Sequence, residues 1–252
     1  MINPQNNVLV KVPALTLIFW VIKILATTLG ETAGDALSMS MDLGYLLSTL
    51  IFAGIFFVAV SVQIKTKQFH PYLYWATIIA TTTVGTTLAD FATRSLGIGY
   101  TGGSTLLFVL LLASLAVWYK TLGSVSVSSI NSPKAEMFYW LTIMFSQTLG
   151  TALGDWTADT AGLGYLGAAI IFGGALVAVA LGHYFTHFSK TLLFWAAFIL
   201  TPPLGAVVGD FLDKPISKGG LELSRYTASI TLTLLILGCI FFFPQRASQS
   251  TH

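Results

Sequence analysis

The chain has 252 residues, 55% of them hydrophobic and only 9% charged, with a formal net charge of +2 and a mean hydropathy of +0.80. A soluble domain carries about a quarter charged residues, so there is too little charge here to cover a water-facing surface. The basic residues are scattered over loops, so the net charge is uninformative about nucleic acid and no nucleic-acid partner is expected, and the single cysteine, Cys239, excludes an intramolecular disulfide or a cysteine-based metal cluster.

In chain order, apolar segments cover roughly 13–35, 44–64, 71–92, 100–119, 136–157, 161–185, 191–212 and 226–244. A bilayer-spanning helix needs about 20 mainly apolar residues, so an all-α membrane protein with eight transmembrane helices is predicted. The first segment follows a polar start, is too long for a signal peptide's apolar core and ends without a small-residue cleavage pattern, so it is expected to be retained. Pro13, Pro71 and Pro133 lie at or near predicted helix starts, where proline is tolerated.

The odd-numbered segments repeat one signature, [FY]-W-x9-G-x3-[GA]-D. It reads Trp20, Gly30, Gly34, Asp35; then Trp75, Gly85, Ala89, Asp90; then Trp140, Gly150, Gly154, Asp155; then Trp195, Gly205, Gly209, Asp210. In the first three copies a Gly-Tyr pair follows, ending at Tyr45, Tyr100 and Tyr165; in the fourth the loop is longer and Tyr226 follows Arg225. Consecutive Trp residues are 55, 65 and 55 apart, and the extra ten fall in the Ser-rich stretch Thr121 to Pro133. That stretch reads as a linker between two halves, 1–125 and 126–252, each with two repeats of a signature helix and a plain apolar helix. Two spans per repeat give all four copies the same orientation, unlike the inverted repeats of many secondary transporters.

Loops on the side of the N-terminus carry Lys11, Lys65, Lys67, Lys120, Lys134, Lys190 and Arg246, against Arg94, Lys214, Lys218 and Arg225 on the other. The positive-inside rule then predicts cytoplasmic termini, with the Trp residues in an interfacial aromatic belt. Each Asp lies about 22 Å further along its helix, in the outer half of the membrane.

Gly30/Gly34, Gly85/Ala89, Gly150/Gly154 and Gly205/Gly209 are small-x3-small pairs that let helix backbones approach closely in lipid. The signature helices are expected to pack together, with the plain helices outside. Carboxylates at this depth are costly, and residues four apart share a helix face. Asp90/Arg94 and Asp210/Lys214 pair acid with base and read as structural or gating residues. Glu31/Asp35 and Asp155/Asp159 each put two acids on one face. Glu31, Asp35, Asp155 and Asp159 are therefore the candidate transport or cation-binding groups. Clustered carboxylates either coordinate a hard divalent cation or share protons.

Lys23, the only basic residue inside a span, either snorkels to the interface or is a buried countercharge for Glu31. Pro202 and Pro203 should kink the seventh helix and free carbonyls near Phe198 and Ile199, favouring a central wet cavity. His183 and His187 have metal-ligand spacing but no supporting carboxylate, and read as interfacial histidines.

The fourfold signature, from Trp20–Asp35 to Trp195–Asp210, resembles a bacterial inner-membrane protein family defined by a tandem repeat of unknown function. The resemblance implies about two transmembrane segments per repeat and an inner-membrane location; it implies no substrate. The leading expectation is a transporter for a small inorganic cation, with protons as coupling ion, no cofactor, and the lipid bilayer and further copies of itself as partners. A non-transporting scaffold or sensor subunit, in which the motif only packs and caps, is the alternative. A membrane enzyme ranks last, because no nucleophile or general-base motif is visible.

Overall fold

The computed structural model describes residues 11–130 and 132–248; the polar start before Lys11 lies outside them. Among the described residues there are eight long α-helices: α1 (Leu17–Asp35), α2 (Gly44–Lys65), α3 (Pro71–Asp90), α4 (Gly99–Leu122), α5 (Pro133–Asp155), α6 (Gly164–Phe185), α7 (Lys190–Asp213) and α8 (Arg225–Phe242). No strand occurs among them, only an isolated antiparallel bridge between Pro13 and Ala247.

Local chemistry sets the helix starts. Ser132 caps the amide of Ala135 and Pro133 opens α5, while Ser189 caps Leu192 at the start of α7. The first helix begins four residues later than the sequence suggested. Thr16 caps the Phe19 amide, and Pro13 instead belongs to an extended segment whose neighbours pair with the C-terminal tail (Ala14 N to Arg246 O, 2.8 Å).

Three signature helices end alike. After Asp35, Asp90 and Asp155 the helix widens into one π-helical turn, Ala36–Ser40, Phe91–Ser95 and Trp156–Thr160. The chain then reverses through a tight turn. The first residue of the following helix has positive φ at Gly44 (71°), Gly99 (70°) and Gly164 (65°). A side chain is strained there, which is why glycine precedes each of Tyr45, Tyr100 and Tyr165. The fourth copy reverses through the longer loop after Asp213 and starts α8 on Arg225.

The signature helices α1, α3, α5 and α7 form a closed ring. Each packs on the next, and α7 packs on α1. A Cβ added to Gly30 would strike Thr82, one on Gly34 would strike Thr86, one on Gly85 would lie 3.0 Å from the Thr148 amide, and one on Gly150 would lie 2.8 Å from the Pro202 carbonyl carbon. On Gly205 it would lie 2.7 Å from the carbonyl carbon of Thr27, and on Gly209 2.7 Å from the Cβ of Glu31. Residue numbers ascend together along each contact, so neighbouring ring helices are parallel. The same small-residue edge meets the same opposite edge around the ring, a head-to-tail interface that closes after four copies.

The plain helices lie outside, each against the following copy: α2 on α3, α4 on α5, α6 on α7 and α8 on α1. Their outward residues are apolar, for example Leu50, Phe57 and Val58 on α2 and Ile170 and Val177 on α6. Six helices are long and apolar enough to cross a membrane: α1 with its π turn, α2, α4, α6, α7 and α8. The other two, α3 and α5, are diluted by Thr77, Thr81, Thr82, Thr83, Thr86 and Thr87, and by Glu136, Ser146 and Gln147, all buried rather than facing outward.

One end of the ring is filled by aromatic residues. Trp75, Trp140 and Trp195 are buried with Phe19, Tyr74, Tyr139, Phe194 and Trp118, and the Tyr74 and Tyr139 hydroxyls hydrogen-bond at 2.7 Å. These three tryptophans are therefore core residues at the end of the ring rather than members of an outward-facing interfacial belt, while Trp20 is half-buried. Val127 and Ile130 of the inter-repeat stretch join the same core, and Trp195 donates to the Val125 carbonyl.

Candidate functional site

The ring presents matching positions of the four copies at successive levels. Three residues past each Trp stand Lys23, Ile78, Ile143 and Phe198, all fully buried. Here Lys23 neither snorkels nor meets Glu31. Its Nζ sits 4.2 Å from the centre of the Phe198 ring and has no hydrogen-bond partner.

Next come the prolines. The helix α7 runs unbroken through Pro202 and Pro203. Proline at 202 removes the amide that would bond the Phe198 carbonyl, and the Thr201 hydroxyl donates to that carbonyl instead (2.9 Å). The Phe198 carbonyl is thus satisfied by protein, and the Pro202 ring fills the space against Gly150.

Eleven residues past each Trp stand Glu31, Thr86, Thr151 and Ala206. Glu31 touches all three other ring helices. Its Oε2 accepts from Thr86 on α3 and from Thr151 on α5, each at 3.0 Å, and its Cβ abuts Gly209 on α7. It is 2% exposed. The two hydroxyls were missed in the sequence, although both occupy the motif position that Glu31 holds in its own copy.

One turn further lie Asp35, Asp90, Asp155 and Asp210, all buried. Two cations serve the four. Arg94 reaches its own Asp90 (2.9 Å) and Asp155 of the next copy (3.0 Å). Lys214 reaches its own Asp210 (2.9 Å) and hydrogen-bonds Asp35 of the first copy. The predicted acid–base pairs four residues apart exist, but each base also bridges to the next copy. Asp35 and Asp155 are therefore partnered across the ring rather than left as bare acids. Arg94 is flanked by the Tyr45 and Tyr100 rings, each 5.8 Å away, and donates to the Tyr45 hydroxyl. Asp213, which the sequence reading passed over, pairs with Arg225 at 2.7 Å, and Arg225 lies 3.8 Å from Asp35.

Of the four acids singled out from sequence, Glu31, Asp35 and Asp155 lie inside the ring. Asp159 is exposed on the π turn Trp156–Thr160, outside the cluster. The tightest carboxylate group instead joins Glu31 and Asp35 of α1 with Asp210 of α7, each offering an oxygen within 4.8 Å of the others. His187 lies beyond the end of α6 at Phe185, so the two histidines do not share a helical face.

Charge is not balanced here. Six carboxylates (Glu31, Asp35, Asp90, Asp155, Asp210, Asp213) face three cations (Arg94, Lys214, Arg225). Buried charge without compensation is unstable, so the excess calls for protons held between carboxylates or for a bound cation. All-oxygen donors of this kind suit a hard divalent ion.

Four stretches of the chain, residues 18–69, 73–123, 138–189 and 193–246, match the family described as Repeat of Unknown Function (DUF347). Each stretch holds one ring helix and the outer helix after it. No curated protein and no solved structure matches the chain. With four copies covering most of its length, the chain belongs to the family defined by this repeat of unknown function.

Proposed function

We propose that the protein is a transporter, not an enzyme, moving a cation across a bacterial inner membrane along the axis of the ring. One observation carries this reading: a buried carboxylate, Glu31, touches all three other ring helices and groups with Asp35 and Asp210 where acids outnumber cations. An intramembrane ionisable group of this kind marks a route for ions or protons more often than a packing site. The cargo in this reading is a small inorganic cation, a hard divalent metal, with protons as coupling ion.

All eight helices span the membrane in the proposal, with both termini in the cytoplasm and the aromatic end of the ring facing inward. What supports α3 and α5 as spans is their place inside the ring, parallel to α1 and α7 and shielded by α2 and α4. Two functional halves are supported by the charge pattern, since Arg94 and Lys214 recur in alternate copies. The apolar outer surface leaves room for a further copy alongside.

The scaffold reading also has an observation in its favour: every ring Asp has a basic partner. Flux separates the two. Purified protein in liposomes loaded with a metal-sensitive dye should admit Mn²⁺ at a protein-dependent rate. Glu31→Gln, near in size but uncharged, should lower that rate at least about tenfold, as expected when a group that carries charge in the rate-limiting step is lost. Equal flux by folded Glu31→Gln and parent protein overturns the assignment, and no flux above empty liposomes favours the scaffold.

A further inference from the structure

Arg94 and Lys214 hold equivalent motif positions but are mounted differently. Arg94 lies within a π-helical turn continuous with α3, between two tyrosine rings, its guanidinium forked onto Asp90 and Asp155. Lys214 is the cap at the end of its helix, its amide still bonding the Asp210 carbonyl at 2.9 Å. It follows the last residue of α7 in an extended conformation (φ −74°, ψ 155°) and opens the loop to α8. That loop turns through Gly219 at φ 86° and returns so closely that the Glu222 amide bonds the Lys214 carbonyl at 2.9 Å.

The Lys214 ammonium sits among Asp35, Asp210 and, at 3.9 Å, Asp213. Two of these belong to the three-carboxylate group with Glu31. An ammonium thus lies against two of the three carboxylates of that group, contributing one positive charge where a divalent ion would contribute two. The replacement is incomplete. Asp35 is fully buried, yet its Oδ1 has no hydrogen-bond partner. Lysine is a compact point charge on a flexible stem, whereas the planar Arg94 guanidinium hydrogen-bonds Asp155 and is flanked by two rings.

We propose that Lys214 is a tethered cation occupying the Glu31–Asp35–Asp210 site, and that it must withdraw before a divalent metal binds there. The proposal rests on the cation-transport reading and adds its regulation: an internal competitor, mounted on a loop, holds the site closed between transport events. Ammonium and metal exclude each other because both sit against the Asp35 and Asp210 carboxylates, where two cations in contact repel. The apparent affinity for metal is then the intrinsic affinity reduced by the fraction of molecules with Lys214 withdrawn. Arg94 serves Asp90 and Asp155, outside the group, and does not compete.

The test is binding of Mn²⁺ to the full-length protein in detergent, read by its EPR signal, for the parent, Lys214→Met, Lys214→Arg and Arg94→Met. With the withdrawn state at about a tenth of molecules or less, Lys214→Met should bind Mn²⁺ at least about tenfold more tightly. The gain should vanish when Glu31→Gln is added. Lys214→Arg, which keeps the charge in a form less easily displaced, should bind no more tightly than the parent. It also serves as the folded test should Lys214→Met fail to fold: tighter binding by Lys214→Arg overturns the proposal. Parent binding left unchanged or weakened by Lys214→Met, or tightened equally by Arg94→Met, overturns the competition while leaving the cation site standing. Absence of Mn²⁺ binding in the parent and in every variant overturns both.

Discussion

At the scale of single residues, the side chains that matter most are those whose partners come from other repeats. Arg94 holds two carboxylates, Asp90 at 1% and Asp155 at 2% side-chain exposure, from two helices. Removing one partner of a buried pair costs about 3–5 kcal/mol, because the remaining charge is left uncompensated. Arg94→Met should accordingly lower the melting temperature in detergent by roughly 6–20 °C, and Arg94→Lys by less, since it keeps the charge. A melting curve for Arg94→Met coincident with the parent would show that the bridge does not hold α3 to α5. From sequence, the pairing of Arg94 with Asp90 was legible through their spacing, and its reach to Asp155 was not.

Among the elements, the ring helices derive their close packing from glycine. Gly150 and Gly205 leave no room for a Cβ: one added to Gly150 would lie 2.8 Å from the Pro202 carbonyl carbon, and one added to Gly205 would lie 2.7 Å from that of Thr27. Backbone cannot yield as a side-chain tip does, so the helices must separate and their packing is lost. Gly174, on the outer face of α6, has nothing within 4 Å of an added Cβ. Gly150→Val should therefore abolish the monodisperse peak in size-exclusion chromatography, while Gly174→Val leaves it unchanged. Comparable peaks for both variants would refute the closed-ring account of the motif. The small-x3-small pairs were readable as packing positions in advance. What they pack against was not, because the partner face, with Thr82, Thr148, Pro202 and Thr27, has no common residue type. The tryptophans mislead for a related reason: an aromatic residue near a helix end suits an interface and a core equally well, and here helix packing buries three of them.

The molecule as a whole is a ring of four parallel helices inside a jacket of four more, with the aromatic residues at one end and the charged residues at the other. If the chain spans the membrane eight times, the turns beside the Asp ring face outward and those beside the aromatic end face the cytoplasm. Single cysteines introduced in a Cys239→Ser background check this with a membrane-impermeant maleimide on intact cells. Asp159→Cys should label from outside, and Lys120→Cys only after permeabilisation; both positions are exposed. The reverse pattern would invert the topology, and equal labelling of the two would contradict the eight-span arrangement.

The amino-acid sequence alone determined the presence of apolar helices long enough to cross a membrane, the helix count, the four repeats and the small-residue edges. Each of these is a matter of composition or of periodicity along one chain. Only the tertiary structure decided which charges meet. Glu31 finds Thr86 and Thr151, Arg94 finds Asp155, Lys214 finds Asp35, and Asp159 is left at the surface. Spacing within a helix tells which residues share its face, but partners across the ring depend on how four helices close on one another. That closure is governed by backbone contact at glycine, which carries no record of the charges it brings together.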